Sequence, residues 1–394
     1  MQDRQREAAT PLGFWMGYST AERDRRWNAV RANAAKEGLD CVWVPLGNGI
    51  DGRYMTQFRA ASIVLPTDGR DPIVITDRGA YNNWVPEPRQ TGREWVQPMT
   101  AALADFGMER ARIGVVGLKG GMTSHVRVPD GVVNHSAYAE VTRQFPNATF
   151  VDATEVVGMS RYVKGDEEIA NLRRAAEISE AGIDELIEVA RPGVDEAQVW
   201  ARVMARMLEL GSEYYTLALY TDPFGTPGRR KTNPPIGERL QPNAYVMNEV
   251  SGVWGAQVAQ EDQPVLLGPI PDEFKPVVEL QREVFEAGLE RMKPGTRLGE
   301  FIDFINGFGD SRGGKTLVLM HGRGYGDDGP LLTPLARGED LRELRFEKGN
   351  AFVWKPYGMS VDEKLQFVWG GDVVVTDHGG EVLFKRQHGL VSIT

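Results

Sequence analysis

Hydrophobic and polar positions in the first part of the chain alternate as they do in a domain built from helices and strands. Residues 21–38 are mostly helix formers and meet their first turn signal at Gly38, which predicts a helix that ends there. The apolar stretch at 41–45 predicts a buried strand, and residues 61–76 contain two further apolar runs separated by turn residues. Residues 95–117 have the pattern of a helix followed by a strand. This part of the chain is therefore expected to form an α/β domain.

The pattern changes around Gly158, and a long amphipathic helix is predicted from Lys164 onwards. Acidic residues 166–168 open this helix, where negative charge complements the helix dipole. Its apolar residues recur at roughly helical spacing, at Ile169, Leu172, Ala176, Ile183 and Leu186. We therefore predict two domains, residues 1–157 and residues 158–394.

The second domain shows internal symmetry in its sequence. Two predicted helix pairs each contain a basic-Pro-Gly turn, at Arg191-Pro192-Gly193 and at Lys293-Pro294-Gly295. β-rich stretches accompany these pairs, and the last stretch contains a predicted hairpin turn at Asp377–Gly380. The period is too long for a solenoid, so duplication of an α+β half is the better interpretation.

Composition and charge narrow the class of protein. The chain has 394 residues, of which 41% are hydrophobic and 25% charged, as in ordinary globular proteins. A net charge of −10 disfavours nucleic acid or an anionic membrane as the main partner. No apolar run is long enough to cross a bilayer, and the N-terminus lacks a secretory pattern, so a cytoplasmic protein is expected. The single cysteine, Cys41, is predicted to be a buried, reduced thiol.

Several segments together resemble the creatinase/prolidase/methionine-aminopeptidase superfamily. They occur in the family's order and are IDGRYMTQF, SRYVKGDEEIANLRRAAEIS, MKPGTRLGEF, MHGRGYG, VWKPYG and GGDVVVTDHGGEVL. The resemblance implies an α+β fold with an α/β N-terminal creatinase-like domain and a pita-bread C-terminal domain of pseudo-twofold symmetry. It also implies a homodimer, because proteins of this superfamily are commonly dimeric.

The positions that hold metal in this superfamily have changed in this chain. Its metallopeptidases bind two divalent ions with two aspartates, one histidine and two glutamates, and the ions activate a water. Motif matching places Asn248, Ala259, His321, Lys355 and Gly371 at these positions, the last to within one residue. None of the four carboxylate positions holds an acid, and the ammonium of Lys355 would repel a cation. The resemblance therefore implies that the usual metal site is absent, and no cofactor is expected.

Within the superfamily the motifs are most similar to those of creatinase, a metal-independent hydrolase. Creatinase also begins the corresponding hairpin with asparagine, at the place of Asn248, and carries a glutamate at the place of Glu261. A catalytic histidine of creatinase matches His321. At the place of Lys355 creatinase has a glutamate that holds the cationic guanidinium of its substrate. The resemblance implies that catalytic residues are kept here while the charge that faces the substrate is reversed.

The sequence around three of these residues bears on their roles. His321 ends an apolar strand and is followed by glycines, so it is a candidate general acid and base, with a core histidine as the alternative. Glu261 would polarise the substrate or orient water, whereas Asp262 beside it looks like a solvated acid. Lys355 lies in an apolar strand and therefore needs an acidic partner or an anionic ligand. The candidate internal partners are Asp327 and Asp328.

A second group of candidate substrate-binding residues lies mostly in a loop. Arg230 and Lys231 belong to a basic run in a loop rich in glycine and proline, where creatinase has a further histidine at the place of Lys231 or Asn233. Asn248 is the third member of this group. The remaining histidines have no chemical neighbours in the sequence and are predicted to be structural or exposed; these are His125, His135, His378 and His388.

The leading hypothesis is a metal-independent, creatinase-like hydrolase that cleaves a C–N bond in a small nitrogen-containing carboxylate. His321 and Glu261 would be catalytic, and Lys355, Lys231, Asn248 and Arg230 would bind the anionic substrate. One alternative is a lyase that acts on a small anionic substrate by proton abstraction with the same base. Another is a catalytically inactive pita-bread domain that serves as a binding module.

Overall fold

A computed structural model describes residues 17–46, 49–77, 82–92, 94–121, 131–223, 235, 237–333 and 339–394. These residues divide into two compact units. The N-terminal unit comprises residues 17–167 together with 325–329, and the C-terminal unit comprises residues 168–324 and 330–394. None of the described helices combines the length and the hydropathy that a membrane-spanning helix requires.

The N-terminal unit is a six-stranded mixed sheet with helices. The strands are β1 Cys41–Val44, β2 Ala61–Pro66, β3 Ile73–Asp77, β4 Arg89–Thr91, β5 Arg112–Val115 and β6 Thr149–Asp152. Their order in the sheet is β4-β3-β2-β1-β5-β6, and β2 is antiparallel to both of its neighbours. The helices are α1 Thr20–Lys36, α2 Gly49–Thr56, α3 Val96–Asp105, α4 His135–Gln144 and α5 Thr154–Tyr162. The predicted α/β character is therefore confirmed.

Local sequence explains the start of this unit. The Oγ of Ser19 accepts a hydrogen bond from the backbone N–H of Glu22 at 3.2 Å and so caps α1, which ends just before Gly38 as predicted. All four residues of β1 are buried, as an apolar strand in the middle of a sheet requires. Cys41 in this strand is buried and forms no disulfide, as predicted, and burial raises the pKa of its thiol to about 12.

The helices of the C-terminal unit come in two pairs. They are α6 Asp166–Val189 with α7 Glu196–Glu209, and α8 Lys275–Arg291 with α9 Leu298–Gly307, and a short helix α10 spans Glu339–Glu343. The predicted apolar face of α6 is buried at Leu172, Ala176, Ile183 and Leu186, and Ile169 is partly buried. Both pairs turn at the predicted Pro-Gly positions, where Gly193 and Gly295 adopt φ angles of 89° and 90° that only glycine accepts readily.

Backbone hydrogen bonds show that the two helix pairs repeat one structure. The N–H of Gly193 donates to the carbonyl of Leu240 at 2.8 Å, and the N–H of Gly295 donates to the carbonyl of Phe346 at 2.9 Å. The isolated bridge between Asp195 and Arg239 likewise has its counterpart between Arg297 and Arg345. Equivalent bonds at equivalent positions confirm the predicted internal symmetry.

The strands of this unit form several sheets. The strands are β7 Ala218–Pro223, β8 Ala244–Glu249, β9 Val253–Trp254, β10 Gln257–Val258, β11 Val265–Leu266, β12 Lys315–Leu317, β13 Met320–Gly322, β14 Leu331–Leu332, β15 Ala351–Trp354, β16 Tyr357–Met359, β17 Gln366–Val368, β18 Gly371–Thr376, β19 Gly379–Val382 and β20 Val391–Ser392. The sheet orders are β20-β11-β8-β7, β12-β16-β17 and β14-β13-β15-β18-β19, with β9 and β10 forming a hairpin. Thr376 pairs with Gly379, which confirms the predicted turn between β18 and β19.

Candidate active site

Lys355 follows β15 directly and is almost fully buried. Its Nζ lies 2.8 Å from Oδ2 of Asp262 and 2.9 Å from Oε1 of Glu249, which ends β8. Burial opposes the positive charge, but the two carboxylates outweigh burial and raise the pKa of Lys355 above its usual value. Lys355 is therefore a charged ammonium held between two acids.

These contacts correct two predictions about acidic residues. The prediction that Asp327 or Asp328 pairs with Lys355 is wrong, because Asp262 and Glu249 hold its Nζ. Asp328 instead forms ion pairs with Arg161 and Lys164 within the N-terminal unit. Asp262 is also not a solvated acid: it is 3% exposed and bonded to Lys355. Sequence reasoning missed Glu249 as well, although it follows Asn248 directly.

A buried polar network extends from Asp262 through Gln260. The Nε2 of Gln260 donates to Oδ1 of Asp262 at 3.3 Å, and its backbone N–H donates to Oδ2 of Asp372 at 2.7 Å. The Nη2 of Arg323 donates to Oε1 of Gln260 at 3.0 Å and to Oγ of Ser251 at 3.3 Å. Burial raises the pKa of Asp372 to about 7, although Arg323 opposes this effect. The sequence alone predicts no role for these additional residues.

His321 lies in β13 on the same sheet as Asp372. It is paired with Val353 of β15, and Val353 is paired with Asp372 of β18. Side chains of directly paired residues point to one face of a sheet, so His321 and Asp372 share a face two strand spacings apart, about 10 Å. The Nδ1 of His321 lies 3.2 Å from the carbonyl oxygen of Gly322. A carbonyl can only accept, so this contact favours the tautomer with hydrogen on Nδ1 and makes Nε2 the basic nitrogen.

Glu261 is fully buried and bonded to a residue near the C-terminus. Its Oε2 lies 2.5 Å from Nη1 of Arg386, and its Oε1 has no hydrogen-bond partner among the described residues. Burial raises the pKa of Glu261 well above its usual range, although Arg386 opposes this effect. A Cβ atom built on Gly371 would lie 2.2 Å from Oε2 of Glu261. The carboxyl group of Glu261 therefore occupies the space of a side chain at position 371.

The other predicted substrate-binding residues have different positions. Asn248 is buried in β8, where its Nδ2 donates to the carbonyl of Gln263 at 2.6 Å and its Oδ1 accepts from the N–H of Gln263 at 3.1 Å. Its amide therefore joins neighbouring backbone, and its role toward a substrate stays a prediction. Arg230 and Lys231 lie outside the described residues, as do Asn233 and His125.

Three further histidines lie within the described residues. His135 and His378 are exposed, at the start of α4 and in the turn between β18 and β19. His388 is partly buried against the rings of Phe367 and Trp369, and its Nε2 is hydrogen-bonded to Oε1 of Gln281. The environment of His388 is that of a packed structural side chain.

We expect His388 to make the stability of the protein depend on pH. Burial, together with the charge of Arg282, lowers the pKa of His388 to about 4. The unfolded chain therefore binds an extra proton between pH 6.5 and 4, and acidification over this range should lower the free energy of unfolding by up to about 3 kcal/mol. Urea unfolding of the parent and of His388→Gln across this range tests this. Equal slopes against pH for the two proteins would contradict it.

The residues at the expected metal positions do not fit a pair of divalent ions. Asn248 uses its amide on backbone, Ala259 and Gly371 have no donor atoms in their side chains, and Lys355 is a cation. Among the described residues, no three His, Cys, Asp or Glu side chains form a group that could hold a metal ion. The side chains at these positions therefore do not fit the two-metal site that is found in metallopeptidases of the superfamily.

Comparisons with known proteins give the family. The sequence profile of metallopeptidase family M24 matches residues 170–377, more than half of the chain. An uncharacterised hydrolase/peptidase of Sinorhizobium fredii, y4tL, is 26% identical over 95% of this chain and 98% of its own length. The ectoine hydrolase of Halomonas elongata is 26% identical over 64% of this chain and 65% of its own length.

Solved structures share the fold. The X-Pro aminopeptidase of Thermotoga maritima superposes with a TM-score of 0.74 at 17% identity and covers 93% of this chain and 99% of its own. The Xaa-Pro dipeptidase of Bacillus anthracis gives a TM-score of 0.73 at 17% identity, with coverage of 94% and 99%. The predicted pita-bread fold, with its additional N-terminal domain, is confirmed. By the extent of the profile match, this chain belongs to metallopeptidase family M24.

Proposed function

We propose that the protein is a metal-independent hydrolase that cleaves a C–N bond of amide or amidine type in a small nitrogen-containing carboxylate. The observation that carries this proposal is the ammonium of Lys355, which two carboxylates hold at a position where the superfamily has a metal-binding acid. A divalent ion beside this ammonium would be repelled, and the carboxylates are already neutralised in part. The chemistry is therefore assigned to side chains alone.

In this proposal His321 is the general acid and base and Glu261 aligns the reacting groups. Nε2 of His321 takes a proton from water as the water oxygen bonds to the substrate carbon. The same imidazolium then returns the proton to the nitrogen as the C–N bond breaks, so atoms and charges balance. Oε1 of Glu261 accepts a hydrogen bond from the water or from a substrate N–H.

Recognition of the substrate carboxylate is assigned to the basic residues. An ammonium has three N–H donors, and Asp262 and Glu249 use two of those of Lys355, which leaves one for a substrate oxygen. The negative charges of these two acids offset the positive charge of Lys355, so Lys355 cannot supply the whole attraction for an anion. We therefore assign the larger share to Lys231 and Arg230, and a contribution of Asn248 stays a prediction from sequence.

A relative supports this substrate class. The ectoine hydrolase of Halomonas elongata shares 26% identity with this chain over 273 aligned residues. Ectoine is a cyclic amidine that carries a carboxylate, which is the combination of groups that the proposal requires. Ectoine is therefore the first compound to assay, followed by N-acyl amino acids, creatine and Xaa-Pro dipeptides.

We expect turnover that survives chelation and that incorporates oxygen from water. The purified protein should contain no stoichiometric divalent ion by elemental analysis, and its activity on the panel should be unchanged by EDTA. In water enriched in ¹⁸O, the carbonyl product should carry the label, because hydrolysis takes its oxygen from water. Two tightly bound ions per chain, or activity only after metal addition, would contradict metal independence.

The same experiment separates the alternatives. An unlabelled product formed by elimination would replace the hydrolase with a lyase. Binding of compounds from the panel without turnover would indicate a binding module. A homodimer, a cytoplasmic location, and folding domains at 1–157 and 158–394 belong to the proposal as predictions from sequence.

A further inference from the structure

We infer that Arg386 is a positioning residue that holds the carboxylate of Glu261 in its reactive orientation. This inference rests on the proposed function, in which Glu261 aligns water or substrate. Arg386 lies in the segment that follows β19, and none of the motifs identified in the sequence includes it. It acts through Glu261 and has no assigned contact with the substrate.

The contacts of Arg386 fix one carboxylate oxygen of Glu261 and leave the other oxygen available to accept a hydrogen bond. Its Nη1 lies 2.5 Å from Oε2 of Glu261, and its Nη2 donates to the carbonyl of Gly370 at 2.7 Å and to the carbonyl of Asp262 at 3.3 Å. The guanidinium thus bonds to the Glu261 carboxylate through one nitrogen and to two backbone carbonyls through another. Oε1 of Glu261 is buried without a hydrogen-bond partner among the described residues. A buried acceptor left open in this way needs an explanation, and a substrate N–H or water supplies one.

Arg386 is itself held in place on several sides. Its guanidinium lies 4.6 Å from the ring centroid of Phe384 and 5.4 Å from that of Trp369. The carboxylate of Glu180 accepts hydrogen bonds from the backbone N–H groups of Lys385 at 2.6 Å and Arg386 at 2.8 Å. Rings fix the side chain and Glu180 fixes the backbone, so the guanidinium has little freedom to move away from Glu261.

The strand beside Glu261 leaves room for its carboxylate. Gly371 has no side chain, and a Cβ there would lie only 2.2 Å from Oε2 of Glu261 and 2.8 Å from a ring carbon of Phe384. Gly371 and Arg386 therefore both act on the position of the Glu261 carboxylate. Gly371 makes the space for the carboxylate, and Arg386 decides which oxygen is used within it.

The charges around Glu261 explain why the position needs an arginine. Burial is the largest effect that opposes the ionisation of Glu261, and the charges of Asp372 and Glu180 oppose it as well, whereas Arg386 favours it. Without Arg386 the carboxyl group would take a proton at higher pH and would lose the contact that fixes its orientation.

The test compares Arg386→Ala, Arg386→Lys, Glu261→Gln and the double variant Glu261→Gln/Arg386→Ala, with Arg173→Ala as control. Arg173 forms an exposed ion pair with Glu381. Arg173→Ala therefore also removes a guanidinium, but from a site that has no buried acid. Activity is measured on ectoine or on whichever compound of the panel is turned over. Stability is measured for all variants by urea unfolding.

For Arg386→Ala we expect kcat to fall by about 100-fold with little change in KM, as for a misplaced catalytic group. The acidic limb of the pH–rate profile should move to higher pH, and millimolar guanidinium should restore part of the rate. Arg386→Lys should retain more activity than Arg386→Ala, and Arg173→Ala should behave like the parent. The double variant should be no slower than the slower single variant.

Two results would overturn the inference. The first is parent-like turnover in Arg386→Ala when Glu261→Gln is inactive. The second is strict additivity of the two substitutions in the unfolding measurements, which would show that the two side chains are not coupled. This second measurement needs no substrate. If no compound of the panel is turned over, the proposed function fails, and additivity or coupling still decides whether Arg386 holds Glu261.

Discussion

Replacing Lys355 with methionine should lower the free energy of unfolding by about 3–5 kcal/mol, because it removes one partner of a buried ion pair. The ammonium has two acidic partners, and Asp262 is as buried as Lys355 itself. Methionine keeps most of the side-chain volume of lysine. The loss of stability should therefore come from the carboxylates left without a cation and not from a cavity. The sequence leaves the partner of Lys355 open between an acid of the protein and an anionic ligand; the contacts with Asp262 and Glu249 show that it is held in a buried ion pair.

Urea unfolding at neutral pH measures this loss, and two further variants identify its cause. Lys348→Met is the matched control, since Lys348 pairs with Asp377 at an exposed site, where an ion pair contributes about 0–1 kcal/mol. Adding Asp262→Asn to Lys355→Met should restore part of the stability, because it removes a carboxylate left without its cation. A loss in Lys355→Met no larger than that in Lys348→Met would contradict the prediction.

The loss should also shrink on acidification. Burial raises the pKa of Asp262, and Lys355 opposes this effect in the parent. Without Lys355 the acid is protonated at higher pH, and the variant then no longer buries an unpaired charge. The difference in unfolding free energy between parent and variant should therefore be largest at neutral pH and smaller at acidic pH.

Replacing His321 with alanine should lower kcat by about 10²–10⁴-fold, the usual contribution of a positioned general acid and base. The substitution removes the group that moves the proton and leaves the proposed carboxylate-binding residues in place, so KM should change little. Steady-state kinetics on the compound found in the panel measures both constants. Added imidazole should restore part of the rate if only the proton carrier is missing.

His378→Ala is the control for this variant, because His378 is exposed in the turn between β18 and β19. It should retain the activity of the parent. Parent-like turnover in His321→Ala would remove His321 from the mechanism. The proposal would then lose its only assigned proton carrier among the described residues.

Most of the fold follows from local features of the sequence. Helix α1 with its end before Gly38, the buried strand β1 and the two Pro-Gly helix turns are all predictable, because these features depend on residues close together in the chain. The family follows from short motifs in a characteristic order. The loss of acids at the expected metal positions is also evident in the sequence, since it depends on residue type alone.

The pairing of charges, in contrast, depends on the tertiary structure. Asp262 lies 93 residues from Lys355, and Glu261 lies 125 residues from Arg386. Nothing local marks such pairs, so sequence reasoning treats Asp262 as a solvated acid and misses Arg386. The strand pairing of His321, Val353 and Asp372 likewise exists only in the assembled sheet. The state of a buried charge is set by which distant residue the fold brings within hydrogen-bond distance, because burial without a partner is too costly to persist.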